Sequence, residues 1–103
     1  MKVLAIDPGY DRLGIAIVEK QNGREVALFS ACAMTDKRLP HSERLVQIGS
    51  AVCHAIAEWK PEALAIETLF LFSNQKTAFK VAEARGVILY EAASAGLPVF
   101  EYT

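Results

Sequence analysis

The sequence predicts an α/β domain: a mixed β-sheet in the order βββαβαβ, with helices packed on it. Three features carry that prediction. Val3-Leu4-Ala5-Ile6-Asp7 and Ala63-Leu64-Ala65-Ile66-Glu67 are unbroken apolar runs, each closing on a carboxylate. Runs without polar alternation are the pattern of strands buried on both faces. Gln21-Asn22-Gly23 carries the Asn-Gly signal of a hairpin. A helical stripe separates the two acid-ended runs, and a strand–helix–strand order lays the later strand parallel to an earlier one.

The elements follow in order. Residues 2–7 form the first strand, and Pro8-Gly9-Tyr10-Asp11 turns the chain. Residues 14–19 and 25–33 form the second and third strands, so the first third is an antiparallel meander. Residues 35–41 are polar and include Pro40, which reads as a loop. Ser42 is placed to cap a helix whose apolar stripe is Leu45, Ile48, Val52, Ile56 and Trp59. Lys60-Pro61 stops that helix. Residues 63–68 form the fourth strand and residues 69–72 continue apolar. Ser73 or Asn74 is placed to cap a second helix. It runs to about Ala95 and ends at Gly96-Leu97-Pro98. Residues 99–102 form the fifth strand. Such a strand ordinarily has something after it to cover its far face. Residues 1–103 are therefore expected to be a single domain cut short after that strand.

The 103 residues suit one domain, and 52% apolar residues are enough for a core. Eleven basic and twelve acidic residues leave a net charge of −1. That is not the basic excess usual in nucleic-acid binders, so any DNA contact must come from a local patch. Cys32 and Cys53 belong to no CxxC or CxxH pattern and are expected to be buried, reduced thiols. His41 and His54 lack metal-ligand spacing. No signal peptide is expected before the first strand, and no apolar run approaches the ~20 residues of a membrane span. A cytoplasmic protein without a membrane partner is expected.

Asp7 and Glu67 are the first candidates for chemistry. Neighbouring strands lie about 4.8 Å apart, so the two carboxylates could share one divalent cation, a hard oxygen site suited to Mg²⁺ or Mn²⁺. Acids also end strands simply because solvent begins there. Each acid is expected to sit beside a low-dielectric core and to need a partner. In the turn after Asp7, Gly9 and Gly14 allow tight turning or the close approach of a phosphate. After Glu67, residues 68–76 place Phe70 and Phe72 beside Asn74 and Lys76, the mixture with which proteins stack unpaired bases; core packing of the aromatics is the alternative. Lys76 and Lys80 share a helix face, and Arg85 lies further along the helix. Ala78, Ala82 and Gly86 recur every four residues, a small-residue seam for internal packing or for a second copy of the chain.

At these residues the sequence resembles a family, the RuvC-type Holliday junction resolvases. The resemblance rests on Ile6-Asp7-Pro8-Gly9, Gly14, Ile66-Glu67 with Phe70 and Asn74, Ala84-Arg85-Gly86-Val87, and Leu97-Pro98-Val99-Phe100-Glu101-Tyr102. It implies a ribonuclease H-like fold and a homodimeric, Mg²⁺-dependent endonuclease that nicks opposed strands of four-way junction DNA. It further implies two ions in the complete enzyme and branch-migration helicase components as partners. Asp7 and Glu67 fall on the family's first two catalytic carboxylates. Phe70 falls on its junction-crossover aromatic, and Lys76 with the following helix on its approach to DNA and to the dimer partner.

Three departures stand out. Gly14-Ile15-Ala16 replaces a common Gly-Tyr-Gly, and Thr68 stands where Gln is common. The family places its remaining acids on a C-terminal helix beyond the fifth strand, and neither Asp11 nor Asp36 matches them. The resemblance therefore implies a junction-resolving endonuclease of which these 103 residues are inactive alone. A non-catalytic junction-binding or dimerisation module is the alternative. An actin-like ATPase fragment is a third, opposed by a length too short for a second phosphate loop.

Overall fold

The computed structural model describes residues 1–68 and 75–103. Its elements are β1 (Lys2–Asp7), β2 (Arg12–Gln21), β3 (Arg24–Met34), α1 (His41–Trp59), β4 (Ala63–Glu67), α2 (Gln75–Ser94) and β5 (Val99–Tyr102). The five strands form one sheet in the order β3-β2-β1-β4-β5. β1, β2 and β3 are the antiparallel meander, while β4 lies parallel to β1 and β5 parallel to β4. The order βββαβαβ and the mixed sheet are as the sequence predicts.

Local chemistry explains most of the boundaries. Asn22 (φ 51°) and Gly23 (φ 78°) both adopt left-handed backbone in the β2–β3 turn, the conformation a twisted two-residue hairpin demands. α1 ends where Lys60 turns left-handed and its N–H reaches the Ile56 carbonyl; Pro61 follows. At the end of α2, Gly96 (φ 78°) donates to Ala93 and Leu97 donates to Ala92, a glycine-terminated cap.

The core lies on one face of the sheet. Leu4, Ile6, Leu13, Ile15, Ile17, Leu64 and Ile66 meet Ile48, Val52 and Ala55 of α1 and Val81, Ala84, Ile88 and Ala92 of α2. The expected burial on both faces is corrected here. Both helices take the same side, so Ala5 and Ala65 on the other are only half-buried and Asp7 is exposed. Asp7 therefore borders solvent rather than a low-dielectric core.

Other expectations also change. β2 begins at Arg12 rather than at residue 14, because Arg12 and Leu13 pair with Met34 and Ala33. Ser42 does not cap α1. The flanking residue is Pro40, with no side-chain cap, and its carbonyl accepts from the N–H groups of Glu43 and Arg44. Cys32 and Cys53 are exposed rather than buried. Cys32 pairs with Gly14, on the face without helices, and Cys53 turns away from the core that its neighbour Val52 joins. The expected caps Ser73 and Asn74 lie outside the described residues.

Candidate metal and nucleic-acid site

The site is built by strand register. Ile6 of β1 stands opposite Ile66 of β4 in a parallel pair. One residue further, Asp7 and Glu67 emerge side by side at the strand ends, on neighbouring strands whose usual spacing is about 4.8 Å. Alternation puts Ile6 and Ile66 into the core and both carboxylates on the opposite, open face. Asp7 is exposed and Glu67 half-buried.

The surroundings leave room for a ligand. Across the β1–β2 ladder, Asp7 pairs with Gly14. A Cβ at Gly14 would stand 3.1 Å from the Asp7 Cβ, so the glycine keeps that flank of the carboxylate clear. Gly9 serves the turn itself, since a Cβ there would collide with the Arg12 carbonyl at 2.0 Å.

On the other side, β5 brings Tyr102 opposite Glu67. The Thr68 N–H donates to the Tyr102 carbonyl at 2.6 Å, tying the two strand ends together. Tyr102 joins Asp7, Gly14, Ala16 and Ser30 around a shallow depression of about 350 Å³. Burial, and then the Glu67 and Asp7 carboxylates, push the Tyr102 phenol above its ordinary value. Nothing in the sequence marked Tyr102 for this position; the parallel register of β5 on β4 puts it there.

The donor set is two carboxylates, hard oxygen ligands of the kind Mg²⁺ and Mn²⁺ take. Among the described residues no group of three or more His, Cys, Asp or Glu converges as a metal cage. The pair fits as part of a cation site, not as a whole one.

A second cluster, marked by no motif in the sequence, occupies the helix side of the same sheet end. Arg44 of α1 is 8% exposed, lies 4.1 Å from the centroid of the Tyr10 ring, and donates through Nη2 to Asp11 Oδ1 (2.5 Å) and Thr35 Oγ1 (2.8 Å). That hydrogen bond holds the Asp11 carboxyl below its ordinary range. The Tyr10 hydroxyl meets His41 Nδ1 at 2.6 Å, and His41 Nε2 meets Glu83 of α2 at 3.0 Å. The turn after Asp7 is thereby pinned to both helices. Residues 10–11, 41–44 and 83 are three stretches far apart in sequence, and no motif links them.

The expected basic residues separate. Lys76 is exposed near the start of α2. Lys80 stands one turn further on, its Nζ 5.3 Å from the Tyr10 ring centroid. Arg85 turns back to the sheet, its Nη2 2.6 Å from Glu101 of β5 and its side chain 18% exposed. Ala82 and Gly86 face outward, with Phe79 and Tyr90 beside them 70% and 69% exposed. Of the small-residue seam, Ala82 and Gly86 are thus not packed inside the domain, while Ala78 is half-buried. Phe70 and Asn74 lie outside the described residues.

The sheet order and the carboxylates closing β1 and β4 define a ribonuclease H-like domain. Comparison with known proteins narrows the class. The family described as crossover junction endodeoxyribonuclease RuvC matches residues 3–103. The RuvC of Myxococcus xanthus is 42% identical over 99% of this chain and 53% of its own length, and that of Thermosipho melanesiensis 41% identical over 100% and 66%. T. thermophilus RuvC, solved in complex with a Holliday junction substrate, superposes with a TM-score of 0.91 at 32% identity, over 99% of this chain and 65% of that one. The chain belongs to the RuvC family. It spans about half to two thirds of the length of these relatives. No described helix is long and apolar enough to cross a membrane.

Proposed function

We propose that this chain supplies the first half of the catalytic centre of a metal-dependent endonuclease. The complete protein resolves four-way DNA junctions by paired nicks in recombination and repair. The observation that carries the proposal is the emergence of Asp7 and Glu67 from neighbouring parallel strands onto the open face. Its context is membership of a family with a relative solved on a Holliday junction substrate.

Asp7 and Glu67 hold the cation between them, with Gly14 leaving the flank of Asp7 open and Gly9 setting the turn. Bound Mg²⁺ or Mn²⁺, two ions in the complete enzyme, would activate a water and stabilise the leaving oxygen of the phosphodiester. Cleavage leaves a 5′-phosphate and a 3′-hydroxyl. Lys76 and Lys80 approach the DNA backbone from α2, Phe70 acts at the junction crossover, Asn74 is a further DNA contact, and Arg85 contributes from α2 while paired to Glu101. The outward stripe of Phe79, Ala82, Gly86 and Tyr90 serves a homodimer, because two opposed nicks require two centres. Branch-migration helicase components are the further partners, and the location is cytoplasmic.

Residues 1–103 alone are inactive on this reading, since two carboxylates leave the second ion little to hold it. A nicking assay on a synthetic four-way junction with Mg²⁺ or Mn²⁺ tests this. Asp7-dependent nicking by the complete protein and none by the 103 residues is expected; clear Asp7-dependent nicking by the 103 residues would contradict the half-site.

The exposed stripe on α2 also favours a second reading, a non-catalytic junction-binding or dimerisation module. If the complete protein shifts junction DNA over duplex in a gel but never nicks it, that reading replaces the first.

A further inference from the structure

We propose that the concavity between the β1–β2 turn and α2 seats a phosphate of a nucleic-acid strand. It lies on the helix side of the same sheet end whose open face carries Asp7. The proposal rests on the nucleic-acid reading above and extends it from Lys80, which that reading already uses, to Arg12, Arg44 and Thr77.

The concavity measures about 380 Å³ and is lined by Gly9, Tyr10, Arg12, Arg44, Thr77 and Lys80, with Asp11 at its wall. Three cations against one carboxylate leave a local excess of two positive charges, in a chain whose net charge is −1. The carboxylate is already engaged: Asp11 accepts from Arg44 at 2.5 Å and has Lys37 Nζ at 3.8 Å. Arg44 is held rigid, with Nε and Nη2 both on Thr35 Oγ1 and the guanidinium 4.1 Å from the Tyr10 ring centroid. It forms a fixed floor.

Lys80 stands over the same ring, and its charge reaches Asp11, whose carboxyl it helps to lower behind Arg44 and Lys37. Thr77 belongs to the first turn of α2, which carries no acidic residue of its own. The positive end of a helix favours phosphate at such a place. A phosphate fits this combination of ammonium, guanidinium, hydroxyl and helix end better than an apolar or cationic ligand does.

Two measurements on the 103-residue chain test it, both with the Lys80→Gln and Arg12→Gln variants, Lys80→Arg as the charge-keeping variant, and Lys20→Gln as the control at the other end of β2. In the first, inorganic phosphate is titrated while backbone amide shifts are followed. The expected result is movement confined to residues 9–12 and 77–81, lost in Lys80→Gln and kept in Lys80→Arg. Shifts elsewhere, or unchanged in Lys80→Gln, overturn the site whether or not the chain binds DNA.

In the second, affinity for a four-way junction is measured from low to moderate salt. Removing one phosphate contact lowers the slope of log K against log salt by about 0.9. The affinity at low salt falls by about tenfold in Lys80→Gln, and Lys20→Gln behaves as wild type. DNA binding whose slope ignores Lys80 and Arg12 overturns the proposal and leaves the endonuclease reading standing. Amide shifts with phosphate, but no DNA binding by any form, keep an anion site, overturn its assignment to a nucleic-acid strand, and count against the nucleic-acid reading itself.

Discussion

Leu4, Ile6, Leu64 and Ile66 are fully shielded on the face that α1 and α2 cover. One residue along the same strands, Ala5 and Ala65 are half-buried, Asp7 is exposed and Glu67 partly so, on the face that no described helix covers. The difference lies in side-chain direction, because successive residues of a strand point to opposite faces. β1 and β4 therefore hold the fold together with their even-numbered residues and carry Asp7 and Glu67 at the ends of the open face. A slip of one residue in either strand would exchange the two roles. Small residues at Ala5, Gly14, Ala16 and Ala65 keep the open face low around the carboxylates, whereas the covered face is filled with Leu and Ile.

The largest effect should come from the covered face. Ile66→Ala should lower stability by about 2–5 kcal/mol, because the cavity forms where the sheet meets its helices. Urea unfolding measures this, and a loss below about 1 kcal/mol would break the contrast between faces.

Arg44→Leu comes next. It leaves the Thr35 hydroxyl and the Asp11 carboxylate without their buried donor, at about 1–3 kcal/mol. Thermal and urea unfolding should agree on the loss.

Gly14→Ala sharpens the comparison from the open side. The new methyl would press on the Asp7 Cβ at 3.1 Å. Mn²⁺ affinity should fall several-fold while stability changes by no more than about 1 kcal/mol; equal loss of both would mean that Gly14 serves folding rather than the site.

The smallest effect concerns acid. The Asp11 carboxyl is held below its ordinary value by Arg44, so its pairing stabilises the fold above the ordinary carboxylate range. That contribution disappears as pH falls through the lowered folded value. Asp11→Asn should flatten the acid limb of the stability–pH curve and lower stability slightly at neutral pH. The effect is small because the Asp11 side chain is 55% exposed and screened by solvent.

The topology was legible because its signals are local. The Asn22-Gly23 turn, the stripe from Leu45 to Trp59 and the stop at Gly96 each act within a few residues. The neighbourhood of Asp7 and Glu67 was legible for a related reason: two like runs ending in acids, joined by a crossover, fall into register. Apolar content could not say which face the helices take, because alanine suits a buried face and a bare one equally. Ala5 and Ala65 thus looked like core.

The Tyr10–His41–Glu83 chain and the Arg44–Asp11 pair were not legible. They join five positions from three separate stretches of sequence, and no spacing links them. Cys32 was misjudged because its exposure follows from pairing with Gly14 on the open face, not from anything beside it in sequence.

Mn²⁺ titration of the chain, followed by paramagnetic broadening of backbone amides, tests the shared cation site most directly. Broadening centred on Asp7 and Glu67, and lost in both Asp7→Asn and Glu67→Gln, is the predicted result. Broadening centred elsewhere, or unchanged when both carboxylates are neutralised, would contradict it.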